Sequence, residues 1–272
     1  MPVLVTAADR PLARRLVLRL LEEGGEVRAY GDGVGAAVRA AGAFVAEGTA
    51  DDIGRLEAAM IDVHTVVHLA ADVLARDASE LVAAAEVVAR AATSAQVRRL
   101  VVTSVPGASA DAADLLRRAA HTVEVAAAAA GPPSIVLRHS LVDTPALRDA
   151  LSTVGLTDDE RARVVAPVRV EDLLELVVAF DRARSRAATG HLVVAADGPE
   201  RLSVARYLER VGVGRPGSGR LLGRRLRADD EVPLLRPALA AGPWWSEGPV
   251  VLDGWGFAGI VPSAPGPGAG SG

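Results

Sequence analysis

Three side chains with chemistry to offer stand at equivalent points of the sequence. Asp72 follows "HLAA", Ser104 closes "RRLVVTS", and His139 closes "SIVLRH". Each comes at the end of a short β-branched run, so each is expected at the carboxyl end of a strand. A hydroxyl, an imidazole and a carboxylate on neighbouring strand ends are the raw material of a nucleophile–base–orienter set. Spacing does not establish such a set, because it is defined by geometry. The plainer reading pairs Ser104 with backbone and makes His139 a polar wall of a pocket. His68 sits inside an apolar run and reads as a core histidine with its hydrogen bonds satisfied. His64, His121 and His191 have no metal-ligand spacing, and the chain has no cysteine, so neither a thiolate ligand nor a disulfide is available.

What must position these residues is an alternation of strands and helices. Residues 3–6, 26–30, 43–48, 64–71, 98–105 and 134–142 read as strands. Residues 11–23, 34–41, 51–60, 79–94 and 112–130 read as helices. Leu12, Leu16, Leu18 and Leu21 fall on or near one helical stripe, and Pro11 suits a first helical turn. "GPP" at 131–133 is a helix stop. The pattern predicts an α/β fold, a Rossmann-like doubly wound parallel sheet of order 3-2-1-4-5-6, with ligands outside the carboxyl ends of its strands. After residue 143 the alternation becomes irregular: helices at 145–154, 170–187 and 202–212, a strand at 191–196, and a Gly-, Pro- and Arg-rich loop at 214–225. Glu171 and Asp172 read as carboxylates at a helix start, not as an acid/base pair. The expected organisation is a nucleotide-binding-type domain (1–143), a small C-terminal α/β subdomain (144–261) and a disordered tail (262–272). Trp244, Trp245 and Trp255 all lie in that subdomain, as packing, as a lid over a ligand, or as an interface anchor.

Composition narrows the partners. The 272 residues are half hydrophobic and carry a net charge of −4. No basic surplus points to nucleic acid or to an acidic membrane. No apolar run is long enough to span a bilayer, and no charged leader precedes the first strand, so a cytoplasmic protein is expected. All 30 basic residues are arginine, which reads as compositional bias and not as a phosphate-binding signal.

Four stretches resemble the extended and atypical short-chain dehydrogenases/reductases (SDRs), the group with NAD-dependent epimerase/dehydratases and NmrA-like proteins. They are "VLVTAADRPLARRLVLRLLEEGGEVRAY", "DDIGRLEAAMIDVHTVVHLAA", "RRLVVTS" and "VRVEDLLELVV…GHLVVAADGPERLSVARYL". The resemblance implies NAD(P) as cofactor, held at a G-x-x-G-x-x-G turn whose positions here are Ala7, Arg10 and Ala13. Alanine is accepted at the third position. At the first it is strained if the turn needs positive φ. At the second, Arg10 places a long side chain where bare backbone meets a diphosphate, unless its guanidinium contacts the phosphate itself. The aspartate that contacts adenine after the third strand is Gly48 here. Asp32 either contacts a ribose hydroxyl or is a turn residue between glycines, and the Ala70–Ala71 backbone is expected beside the cofactor. Ser104 lies near the family's catalytic Ser/Thr.

The family's Tyr-x-x-x-Lys pair has no counterpart in "DAADLLRRAAHTVEVA". The chain has no lysine, and Arg117 or Arg118 stands near the lysine position, with a pKa too high to shuttle a proton. Helices equivalent to 79–94 and 112–130 pair in family homodimers, which implies the same partner surface here. Three functions follow. The favoured one is a degenerate SDR-like protein that has lost ordinary redox catalysis and serves as a small-molecule-binding, regulatory or assembly protein. The second is an NAD(P)-dependent oxidoreductase or epimerase with an altered turn. The third is a non-redox enzyme, such as a cyclase or dehydratase, that reuses the pocket through Ser104 or His139.

Overall fold

The computed structural model describes residues 2–75, 77–183, 190–213, 234–242 and 244–245. In chain order the elements begin β1 (Val3–Val5), α1 (Pro11–Glu22), β2 (Val27–Gly31), α2 (Ala36–Ala40), β3 (Phe44–Glu47), α3 (Ile53–Met60) and β4 (Thr65–His68). There follow α4 (Ala78–Ser94), β5 (Arg99–Ser104), α5 (Leu115–Ala129), β6 (Ser134–Arg138), β7 (Val142–Asp143), α6 (Pro145–Thr153) and α7 (Asp158–Ala162). The last are β8 (Val164–Val165), β9 (Val168–Arg169), α8 (Val170–Arg182), β10 (His191–Ala195), β11 (Leu202–Ser203), α9 (Val204–Arg210) and α10 (Leu235–Ala240).

Seven strands form one sheet in the order β10-β6-β5-β4-β1-β2-β3, parallel throughout. The expected order 3-2-1-4-5-6 is present, and β10 extends it beyond β6. The central strands are apolar on both faces because helices cover both. Along β1, Val3 and Val5 join a core with Leu16 and Val17 of α1 and Val177 and Phe180 of α8. Leu4 faces the other way, into a core with Leu56 and Met60 of α3, Val88 of α4 and Val123 of α5. Each large apolar side chain buried this way contributes about 2 kcal/mol.

A third core lies over the segments leaving β5 and β6. Val105 and Leu141 pack there with Leu116 of α5, Leu147 and Leu151 of α6, Tyr207 of α9, Leu235 and Leu239 of α10, and Trp244. Glu171 and Asp172 do occupy the first turn of α8, where carboxylates meet the positive end of the helix dipole. The 214–225 loop, Trp255 and the 262–272 tail lie outside the described residues.

Candidate functional site

The turn between β1 and α1 keeps a left-handed residue without a glycine. Ala7 has φ +50°, which costs an L-residue about 1 kcal/mol. The conformation is held by the Arg10 N–H on the Ala7 carbonyl and the Ala8 N–H on the Tyr30 carbonyl, both at 2.9 Å. Ala13, one turn into α1, is buried. Arg10 caps α1 in extended conformation with no side-chain cap bond, and Pro11 follows it. The Arg10 guanidinium reaches from β1 to the end of β4, where it donates to Asp72 Oδ2 at 3.3 Å. Both side chains are more than a third exposed, so this bridge is worth at most about 1 kcal/mol. The other Asp72 oxygen accepts the Leu74 N–H. Ala70 is buried, and the Ala71 N–H is held by Thr103 Oγ1 at 3.0 Å.

Two histidines flank that bridge. His68, the last residue of β4, shares a 2.7 Å hydrogen bond between Nδ1 and Thr6 Oγ1. Its pKa falls to about 4, first because burial penalises the cation and second because Arg10 repels it. His139, just past β6, donates from Nδ1 to the Ser140 carbonyl at 2.7 Å. That bond leaves Nε2 as the bare lone pair of the neutral ring. Burial lowers the pKa of His139 too, opposed by the Ser140 carbonyl and by the Asp72 carboxylate. Among the described residues neither His68 Nε2 nor His139 Nε2 has a hydrogen-bond partner, although both atoms are buried. His68 is thus satisfied on one side only, where the sequence suggests a fully satisfied core histidine.

The structure does not assemble Ser104, His139 and Asp72 into one set. Ser104 is fully buried. Its hydroxyl donates to Glu124 Oε1 on α5 at 2.5 Å, not to backbone and not to His139. The same carboxylate takes two hydrogen bonds from Arg138, at 2.8 and 2.6 Å. Glu124 carried no signal in the sequence beyond its place on an amphipathic helix.

The start of α5, where the resemblance places a tyrosine and a lysine, is locked by Arg117. Its guanidinium donates to Asp114 Oδ2 at 2.7 Å and to the carbonyls of Pro106 and Ala238 at 3.0 Å each. It lies 5.0 Å from the ring centre of Trp244, within cation–π range. Trp244 is itself fully buried, with its indole N–H on the Ala238 carbonyl and its own carbonyl accepting from Ser140 Oγ. Trp245 lies against Arg201. Neither of the chain's two tyrosines stands at α5. Tyr207 belongs to α9 and donates to Asp143.

Tyr30 belongs to the end of β2. Its ring fills the space above Gly48, where an added Cβ would lie 2.3 Å from the Tyr30 hydroxyl. That hydroxyl donates to the Thr49 carbonyl at 2.9 Å. A side chain at position 48 therefore requires the Tyr30 ring or the backbone to shift. Gly31 is crowded as well: a Cβ there would meet Asp9 Oδ1 at 2.5 Å. Asp32 is exposed. Among the described residues no group of histidines and carboxylates converges on a metal position, and no helix is long and apolar enough to cross a membrane.

Several solved structures share this architecture. Citrobacter sp. triphenylmethane reductase complexed with NADP(H) is 16% identical, with a TM-score of 0.63 over 78% of this chain and 75% of that one. The likeness is one of fold, a Rossmann-like α/β sheet flanked by helices. The Thermotoga maritima UDP-glucose 4-epimerase with UDP-glucose is 17% identical, with a TM-score of 0.59 over 77% of this chain and 81% of that one. Bordetella bronchiseptica WbmG in complex with NAD and UDP is 20% identical, with a TM-score of 0.60 over 79% and 81%. No protein-family model and no curated protein matches the sequence.

The resemblance implies a nicotinamide dinucleotide, and this chain departs from the resembled motif at several of the positions that would meet one. The first turn retains its shape through Ala7. Beyond the turn, the Tyr30 ring occupies the space a side chain at position 48 would need, and Asp9 occupies that beside Gly31 at the end of β2. At the start of α5 no tyrosine or lysine is present, and Arg117 is engaged by Asp114, Pro106, Ala238 and Trp244.

Proposed function

We propose that this chain is an SDR-fold protein that has given up ordinary nicotinamide-dependent redox catalysis and works by binding a small molecule, in a regulatory or assembly role. One observation carries the reading: both tyrosines are committed elsewhere, and the buried Arg117 clasp occupies the start of α5. Carbonyl reduction and sugar epimerisation in this fold need a proton relay of ordinary acidity at that place. A guanidinium, which has donors and no acceptor, does not provide one.

The alternative, an NAD(P)-dependent oxidoreductase or epimerase with an atypical turn, draws support from the positive φ of Ala7 and from neighbours crystallised with NADP(H) or NAD. A thermal-shift titration with NAD(H) and NADP(H), joined to an assay of nicotinamide absorbance with aldehyde, ketone and nucleotide-sugar substrates, separates the two. A ligand at 100 times its dissociation constant raises stability by about 2.7 kcal/mol. No shift and no turnover are expected. Steady cofactor oxidation with any of these substrates refutes the proposal.

A further inference from the structure

Two side-chain pairs join the ends of β1 and β4, one inside the other. The inner pair is Thr6 Oγ1 with His68 Nδ1 at 2.7 Å, and both residues are buried. The outer pair is Arg10 with Asp72 at 3.3 Å, and both side chains are more than a third exposed. Arg10 stands four residues beyond Thr6, and Asp72 four residues beyond His68, so the outer pair spans the same two chains farther from the sheet. Those chains then part. β1 and β4 are neighbours in the sheet, but α1 packs on one face with α8 and α4 packs on the other with α3. Such a switch point leaves a crevice at the carboxyl ends of the two strands, and doubly wound folds hold ligands there.

Backbone bonds fix each end of the outer pair. The Arg10 N–H closes the left-handed turn on the Ala7 carbonyl, and the Arg10 side chain makes no cap bond to α1. Asp72 turns Oδ1 to the Leu74 N–H at 2.9 Å, which leaves Oδ2 for the guanidinium. Between these fixed ends the contact is weak, because an exposed ion pair is screened by salt and competed for by other ions. Behind it, His68 Nε2 is buried without a hydrogen-bond partner among the described residues.

We propose that the Arg10–Asp72 bridge is a latch across the switch-point crevice, which shuts off the Thr6–His68 pair when closed and opens when an anion competes with Asp72 for the guanidinium. This rests on the ligand-binding reading above and names how entry to that site is regulated. The anion's chemistry is that of a carboxylate or phosphate, the groups a guanidinium pairs with best.

The test uses the full chain without any organic ligand, so its failure is distinct from a failure of the binding reading. Diethyl pyrocarbonate acylates neutral imidazole, and peptide mass spectrometry reads the rate at His68, with His121 and His191 as internal controls. His68, with a pKa of about 4, is neutral at pH 7, so its rate reports access and not protonation. Asp72→Asn and Arg10→Gln should each raise the His68 rate up to about fivefold, the factor that corresponds to about 1 kcal/mol. The double variant should go no further, because both changes open one latch. Inorganic phosphate should raise the rate in the wild-type chain and leave both single variants unchanged. Steady rates at His121 and His191 show that a variant keeps its fold; where they rise as well, the phosphate response of the wild-type chain decides. The proposal is overturned if His68 reacts no faster in either single variant, if the two effects multiply in the double variant, or if phosphate leaves the wild-type rate unchanged.

Discussion

Replacing Gly48 with alanine tests the steric argument at the adenosine end of the site. A Cβ on residue 48 would lie 2.3 Å from the Tyr30 hydroxyl, 2.7 Å from Cζ and 2.9 Å from Cε2. Real contacts of this kind are never so short, so the ring or the backbone must move. The ring has little room, for Tyr30 is 2% exposed and its hydroxyl is held by the Thr49 carbonyl, with the Asp52 carbonyl at 3.3 Å. Overpacking a buried site costs about 1–3 kcal/mol, and losing the hydroxyl's bond adds about 1 kcal/mol. Gly48→Ala is therefore expected to destabilise the protein by about 2–3 kcal/mol in urea denaturation. Tyr30→Leu empties the contested space, so in that background the same alanine should cost less than about 0.5 kcal/mol. The double-mutant cycle isolates the clash as a coupling of about 2 kcal/mol. An equal cost in both backgrounds would falsify the steric account, and with it the claim that Tyr30 stands where the cofactor acid would be.

Three further outcomes follow from the geometry. His68 is held neutral with a pKa of about 4 against 6.5 unfolded; the unfolded chain therefore binds the extra proton first, and about 3 kcal/mol of stability is lost as pH falls from 6.5 to 4. A His68→Asn variant, which can still bond Thr6, should flatten the dependence of urea stability on pH in that window, and an unchanged slope speaks against a buried neutral imidazole. Arg117→Met leaves Asp114 buried without its cation, and should cost about 3–5 kcal/mol with a marked rise in Trp244 exposure by fluorescence; a loss below 1 kcal/mol would show the clasp to be incidental. Ala7→Gly relieves about 1 kcal/mol of left-handed strain but loosens the unfolded chain by a similar amount, so stability should move by less than about 1 kcal/mol; a larger loss would mean that the alanine methyl packs, and that the turn is specific to it.

The sheet was legible because its signal is periodic and local. Strands of three to six residues rich in β-branched side chains, set between helical stripes, leave few topologies once right-handed crossovers are required, and β1 through β6 followed. The positive φ of Ala7 was legible as a conditional, since the turn's geometry belongs to the fold and not to the residue in it. The pairings were not legible. Nothing in "DLLRRAAHTVEVA" distinguishes Arg117, buried on Asp114, from Arg118, and nothing marks Glu124 as the acceptor for Ser104 and Arg138. The contacts of Arg117 with Ala238 and of Glu124 with Ser104 and Arg138 join residues 14 to 121 positions apart, and pattern reading carries no information at that range. The same holds for the bare nitrogen of His139, which depends on which ring atom meets the Ser140 carbonyl.

The departures from the resembled motifs are coupled to their surroundings, and this bears on how they should be read. Had Gly48 been an isolated loss, a side chain would still fit there; instead the Tyr30 ring occupies the volume and bonds the neighbouring carbonyls. Had the lysine position simply drifted, Arg117 would be a solvated helix residue; instead it joins α5 to α10 and stacks on Trp244. Each of these positions is filled by packing, so introducing the motif residue there disturbs its neighbours. A lysine in place of Arg117 would give up the guanidinium's bonds to the Pro106 and Ala238 carbonyls and its stacking on Trp244 before any proton relay formed. Restoring glycines at positions 7, 10 and 13 would open the turn and still leave Tyr30 over residue 48. Recovery of dinucleotide binding should therefore demand both changes together, the turn glycines and a smaller residue at position 30, with neither set sufficient by itself in a cofactor thermal-shift titration. Binding restored by the glycines alone would mean that the adenosine end was never closed.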